Sequence, residues 1–158
     1  MGIPDFILDL RRHIGTAPLW LPGVTAVVRR GPDLREVLLV RRSDDGQWAP
    51  VTGIVDPGED PGVAARREAR EEAGVEVRVD RLAWVQALPP MTHVNGDRAT
   101  YLDHTFSCTW TAGEAHVADE ESTAVAWFPA DRLPQMRESL RARIDWVLAD
   151  DPVTRFAS

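Results

Sequence analysis

The chain reads as a mixed α/β layer fold, and three observations lead there. β-rich apolar runs recur along its 158 residues, amphipathic helical patterns interrupt them near the start, middle and end, and Gly/Pro turn signals separate the pieces. In order, "PDFILDLRRHI" (4–14) spaces Phe6, Leu10 and Ile14 four apart with Ile7 beside them, which predicts an amphipathic helix ending at Gly15. "VTAVVRR" (24–30) and "EVLLVRR" (36–42) are strands separated by the turn signal "GPDL", and "QWAPVTGIV" fits a short, broken strand. A second helix follows, with Asp60 as cap, Pro61 at its first position and Gly74 as its stop. Runs 75–79, 82–88, 101–110 and 123–129 read as further strands, and residues 136–150 as a closing helix with Leu140, Ile144 and Val147 on one stripe. The segment 89–99, "PPMTHVNGDRA", is long and polar enough for a binding loop.

Composition narrows the function classes. A chain of this length is expected to form one domain, residues 1–158, with a substantial core; it is 44% hydrophobic and 27% charged. Its net charge of −7 argues against a nucleic-acid polymer as partner, since phosphate-backbone binding needs a basic surplus. A small anionic substrate stays open, because a bound cation overrides the global field. The one cysteine, Cys108, lies in an apolar strand-like run and reads as a buried inert thiol in a reducing compartment. No apolar run approaches the roughly 20 residues of a membrane span and the N-terminus carries no cleavage-type signal, so a soluble cytoplasmic protein is expected. The apolar stripe of the first helix serves a homodimer contact as readily as an intramolecular one.

The chemistry concentrates in "GIVDPGEDPGVAARREAREEAGV", Gly53 to Val75. On a helical wheel at about 100° per residue, Glu68, Glu71 and Glu72 share one sector, with Ala64 within it and Ala65 and Ala69 at its borders. Arg66 and Arg70 point the other way and only Arg67 borders the cluster. Such a helix can be a solvated face laced with salt bridges. Against that, alanines beside the carboxylates suit close approach to a sheet, and two unit charges ~6 Å apart at an effective dielectric near 20 repel by about 3 kcal/mol. A compensating cation is needed, and all-oxygen ligands suit Mg²⁺ or Mn²⁺ over zinc.

Written by spacing, the segment is Gly53, five residues, Glu59, seven residues, then Arg67-Glu68-Ala69-Arg70-Glu71-Glu72-Ala73-Gly74-Val75. It resembles the Nudix box of the Nudix hydrolases at every required position, with the small Ala69 at one aliphatic site. "VLLVRRSDDGQW" resembles the strand and turn before the box, "AVAWFPADRLP" the strand and loop that often follow, and "LRRHIGTAPL" the extra helix of one bacterial branch. The resemblance implies an α/β/α sandwich with a mixed sheet and an added N-terminal helix. It implies Glu68 and Glu72 as the main metal ligands, Glu71 assisting and the Gly53 carbonyl contributing, while Glu59 and Arg67 form a supporting ion pair. It further implies hydrolysis of a nucleoside diphosphate linked to another group, by a metal-activated water whose proton passes to a carboxylate. That base is expected among Glu121, Glu120 and Glu71, in that order. Substrate contacts are expected from Arg41 or Arg42, which face opposite sides of their strand, and from Trp48 and Tyr101, as base-stacking aromatics that serve equally as core.

The stretch before the box departs from the family's Trp-x-Leu-Pro-Gly-Gly. Here it is Trp48-Ala49-Pro50-Val51-Thr52-Gly53, with Asp56 where the family carries Glu, which puts substrate geometry in doubt more than metal binding. Pro89 and Pro90 lie roughly where ADP-ribose-cleaving members carry a proline. ADP-ribose or a nucleotide sugar is therefore placed ahead of a modified nucleoside triphosphate, with a non-catalytic nucleotide sensor as the alternative from another class.

Overall fold

A computed structural model describes residues 3–157; the outermost residues of the 1–158 span lie outside them. Among the described residues, eight strands form one mixed sheet: β1 (Leu19–Arg30), β2 (Glu36–Arg42), β3 (Trp48–Ala49), β4 (Val51–Ile54), β5 (Glu76–Ala87), β6 (Met91–Thr92), β7 (Arg98–Ala112) and β8 (Ser122–Pro129). Three helices cover it: α1 (Asp5–Ile14), α2 (Pro61–Ala73) and α3 (Glu138–Leu148). β1 and β7 run parallel and every other named pairing is antiparallel, so the sheet is mixed, as expected.

The two faces of the sheet follow from the period-two alternation of β1. Val24, Ala26 and Val28 look to one side, where they pack with Leu38, Val40, Phe106, Cys108 and the alanines of α2. Val27 looks to the other and packs with Val37, Leu39, Ala83 and the α3 residues Ile144 and Val147. Four fully buried alanines, Ala64, Ala65, Ala69 and Ala73, let the α2 backbone lie close on the sheet. Gly74 ends that helix at φ 68°, a left-handed conformation that glycine adopts without strain, and its N–H returns to the carbonyls of Ala69 and Arg70. Asp60 stands at the cap position with extended backbone, but its side chain makes no capping bond.

The feature that positions the site is a fork. β1 and β2 pair only at Arg29↔Val37 and Arg30↔Glu36 before they part. The chain from Trp48 to Ile54 fills the opening: β3 pairs with β2 at Val40↔Ala49, and β4 pairs with β1 from Gly23↔Ile54 to Ala26↔Val51. Pro50 stands at the crossing, where the chain leaves one partner strand for the other. A residue without an N–H suits that break in the ladder, so the unusual Pro50 and Thr52 are accommodated with Gly53 kept in register opposite Val24.

Three expectations need correction. The runs at 75–79 and 82–88 are one strand, β5, carried through bulges between Val79/Arg81 and Leu82/Trp84; the polar Asp80 that breaks the pattern is left out of the ladder. The segment 89–99 is partly a hairpin, with Met91↔Ala99 and Thr92↔Arg98 paired. The stripe on α1 is also misplaced. Only Ile7 is buried there, whereas Leu10 and Ile14 are 41% and 39% exposed. The inward face runs through Ile7 and Arg11, about 100° away, because Arg11 is tied to the carbonyls of Gly15, Ala17 and Arg98.

Candidate active site

Where the sheet forks, a cavity of about 590 Å³ opens, walled by α1, the 88–97 turn, the start of α3 and the carboxylate face of α2. Glu68 and Glu72 line it, and they are 7% and 5% exposed. They reach it because positions 68 and 72, one turn apart, share the buried face of α2 with the alanines. Gly53 touches Glu68 from β4: a Cβ on that residue would overlap the Glu68 carboxyl. Here the absence of a side chain is a requirement of close approach, whatever the backbone angles.

Arg67 binds the loop to the helix. Its guanidinium donates to Glu59 twice, through Nε at 2.9 Å and Nη2 at 2.9 Å, to Glu68 at 2.7 Å, to Glu71 at 3.1 Å and to the Ile54 carbonyl at 3.0 Å. The second Glu59 oxygen also accepts the Asp56 N–H. These bonds hold the Glu59 carboxyl below its ordinary pKa, Arg67 being the largest cause, and raise Arg67 in turn. The loop 54–60 is thereby held at both ends by one side chain.

The two inward carboxylates behave differently. Burial pushes Glu68 up to about 7, opposed by Arg67 and assisted by the charges of Glu71 and Glu121. Glu72 is driven well above its ordinary value, again first by burial and then by Glu68 and Glu121. Two buried carboxyls on one cavity, with Glu71, Glu121 and Asp119 adding negative charge and the guanidiniums of Arg67 and Arg42 opposing it, are short of positive charge. Their hard oxygen donors fit a divalent ion such as Mg²⁺.

The remaining candidates sort cleanly by position. Glu121, though an exposed residue, lines the cavity, and desolvation of its carboxyl, with Asp119 adding to it, raises its pKa. Glu120 is exposed and outside the lining, and Glu71 faces Arg67 rather than the cavity. Of the adjacent arginines, Arg42 faces in, held by two bonds to Asp44 at 2.9 and 2.6 Å, while Arg41 turns away to the Gly46 carbonyl. Tyr101 lines the cavity with its hydroxyl 3.0 Å from His93 Nε2. Trp48 lies outside it, its ring edge-on to Phe128 at 4.9 Å in the α3-side core. Pro89 and Pro90 are part of the wall. Arg11, Asp103 and Arg143, also in the lining, escaped sequence reading: they lie on three separate elements, in amphipathic or strand-like runs where no fixed spacing links them.

Comparison with known proteins accords with this geometry. A family model described as NUDIX domain matches residues 20–147. A "MutT-like protein" of Streptomyces ambofaciens is 31% identical over 75% of this chain and 70% of its own length. A Chromobacterium violaceum "NAD-capped RNA hydrolase NudC" is 32% identical over 72% of this chain but only 39% of its own. Across such relatives the chain spans from 26% to 70% of their length. Among solved structures, a Streptococcus suis ADP-ribose pyrophosphatase superposes with a TM-score of 0.65, covering 87% of this chain and 96% of that one at 18% identity, a likeness of fold. With the family match spanning the box and the whole sheet, the chain belongs to the NUDIX domain family, that of the Nudix hydrolases.

Proposed function

We propose that this chain is a Mg²⁺-dependent pyrophosphohydrolase, with Mn²⁺ as a substitute, that adds water across the P–O–P bond of a nucleoside diphosphate linked to a further group. One observation carries the reading: Glu68 and Glu72, buried and short of positive charge, line a cavity sized for a nucleotide, with Gly53 against Glu68. In this reading Glu68 and Glu72 hold the ion, with the Gly53 carbonyl beside them and Glu71 assisting, and Glu59 and Arg67 fix the loop. When bound, the ion neutralises the bridging phosphates and lowers the pKa of a coordinated water. Glu121 takes the proton as oxygen attacks phosphorus; its raised pKa brings it nearer the range in which a base works at neutral pH. Glu71, held by Arg67, and the outlying Glu120 follow it as candidates. Arg42 holds a phosphate oxygen and Tyr101 contacts the nucleoside. The bond broken is phosphorus to bridging oxygen, and the products are a nucleoside monophosphate and a second phosphorylated fragment.

ADP-ribose or a nucleotide sugar is proposed ahead of a modified nucleoside triphosphate, on the proline wall at 89–90. The domain is taken as residues 1–158, working in the cytoplasm, where Cys108, buried and pushed up to about 12, stays a thiol. The net charge of −7 favours a free nucleotide over a polymer, and the NudC relative makes capped RNA a necessary comparison. The test is a panel of ADP-ribose, nucleotide sugars, nucleoside triphosphates, NAD⁺ and NAD-capped RNA with Mg²⁺, scored by product identity. Monophosphate release from a sugar-linked diphosphate is expected. Tight binding of one member with no cleavage of any would overturn the enzymatic reading in favour of a sensor.

A further inference from the structure

One face of β7 carries Tyr101, Asp103 and Thr105 in alternation, and α3 brings Arg143 against Asp103 and Thr25 of β1. Arg143 is 5% exposed and Asp103 3%. Asp103 accepts from the hydroxyls of Thr25 and Thr105, both at 2.8 Å. Arg143 donates once, from Nη1 to the Thr25 hydroxyl at 2.9 Å, and stands 3.7 Å from Asp103. Its Nε is buried without a partner among the described residues, and burial pulls its pKa down despite Asp103. A guanidinium with five N–H donors and one hydrogen bond is costly to bury unless something else meets it. Both charged groups line the cavity opposite α2.

The partner is not a second phosphate. Six acidic side chains and four arginines line the cavity, and Asp103 half-neutralises Arg143 where an anion would sit. What the pair offers is a donor beside an acceptor at the cavity floor. Tyr101, two residues along the same strand and about 7 Å away by strand geometry, lies against Gly23. A planar group with an acceptor and a donor on one edge satisfies all three. Resting on the reading of the site as a nucleotide pocket, we propose that Arg143 and Asp103 read the edge of the substrate's nucleobase while Tyr101 packs against its face.

The test is binding, independent of turnover. Calorimetric affinities of AMP, GMP, CMP, UMP and ribose 5-phosphate are measured for the wild type, Arg143→Lys and the charge-balanced double variant Arg143→Met/Asp103→Asn, each checked for native circular dichroism. At least one nucleotide is expected to bind the wild type about 10- to 100-fold more tightly than ribose 5-phosphate. Both variants should erase that gap and leave ribose 5-phosphate unchanged. The proposal is overturned if no nucleotide outbinds ribose 5-phosphate, or if the gap survives in a folded variant. A base-dependent gap without hydrolysis on the substrate panel overturns the pyrophosphohydrolase reading alone.

Discussion

Arg67 on α2 and Arg143 on α3 are both withdrawn from water, on opposite faces of one sheet, yet their bonding differs fivefold. Arg67 makes five hydrogen bonds, to Glu59, Glu68, Glu71 and the Ile54 carbonyl. Arg143 makes one. A guanidinium saturated by its own chain is a brace, and losing it breaks what it holds. One left with spare donors inside a cavity contributes little to holding the fold for the desolvation it costs, and is available to a ligand. The same division separates the carboxylates: Glu59 is engaged by Arg67 and the Asp56 N–H, whereas the buried carboxyl of Glu72 receives no hydrogen bond from a described residue, which suits the cation proposed for it.

The largest effect should come from the unengaged side of this comparison. Glu72→Gln is expected to lower Mg²⁺-dependent turnover by about 10³-fold or more, since one oxygen ligand and one charge go together, with circular dichroism unchanged; near-normal rates would remove Glu72 from the metal site. On the engaged side, Arg67→Met leaves the half-buried Glu59 and the buried Glu68 without their cation and should cost about 3–5 kcal/mol in urea unfolding. An equal loss for Arg143→Met would erase the distinction between brace and reader. Glu121→Gln should slow kcat by about 10²-fold while KM moves little, and the same pattern in Glu71→Gln instead would transfer the role of base.

A smaller effect follows from pH. In metal-free protein Glu68 titrates near 7, raised by burial from an ordinary 4.5. The folded chain then holds a proton that the unfolded chain has released, so stability falls as pH rises from about 4.5 through 7. The Glu68 contribution amounts to about 3 kcal/mol at most. Urea midpoints in EDTA should drop between pH 5 and pH 8, Glu68→Gln/Glu72→Gln should flatten the slope, and Mg²⁺ should restore the wild type at pH 8. A flat wild-type profile would mean the two carboxyls are not the strained pair described. Smallest of all, Arg41→Ala should change kcat/KM less than about twofold, against about tenfold for Arg42→Ala; the reverse would put the wrong arginine in the cavity.

Local chemistry was legible where it repeats at fixed spacing. The shared face of the α2 carboxylates, the alanines beside them and the Gly74 stop follow from helical period and capping, and the structure places them accordingly; the Arg67–Glu59 pair, whose acid lies outside the helix, was implied only by the family resemblance and is present in the structure. Strand order, the fork and the bulges were not, because pairing partners lie far apart in the chain and a bulge leaves no more trace than one polar residue such as Asp80. The inward face of α1 misled for a related reason: Arg11 turns inward through hydrogen bonds to carbonyls that hydrophobic periodicity does not count.

By itself, then, the sequence determined the family, the α/β layering and the carboxylate helix, since each is a matter of residue type at short range. Only the tertiary structure decided which of Arg41 and Arg42 faces the cavity, that Trp48 belongs to the core, and that Asp103 and Arg143, 40 residues apart, stand side by side in the cavity wall. A spacing of four is written into a helix by its geometry. A contact across a sheet is set by register and by which helix covers which face, and those are decided when the whole chain packs.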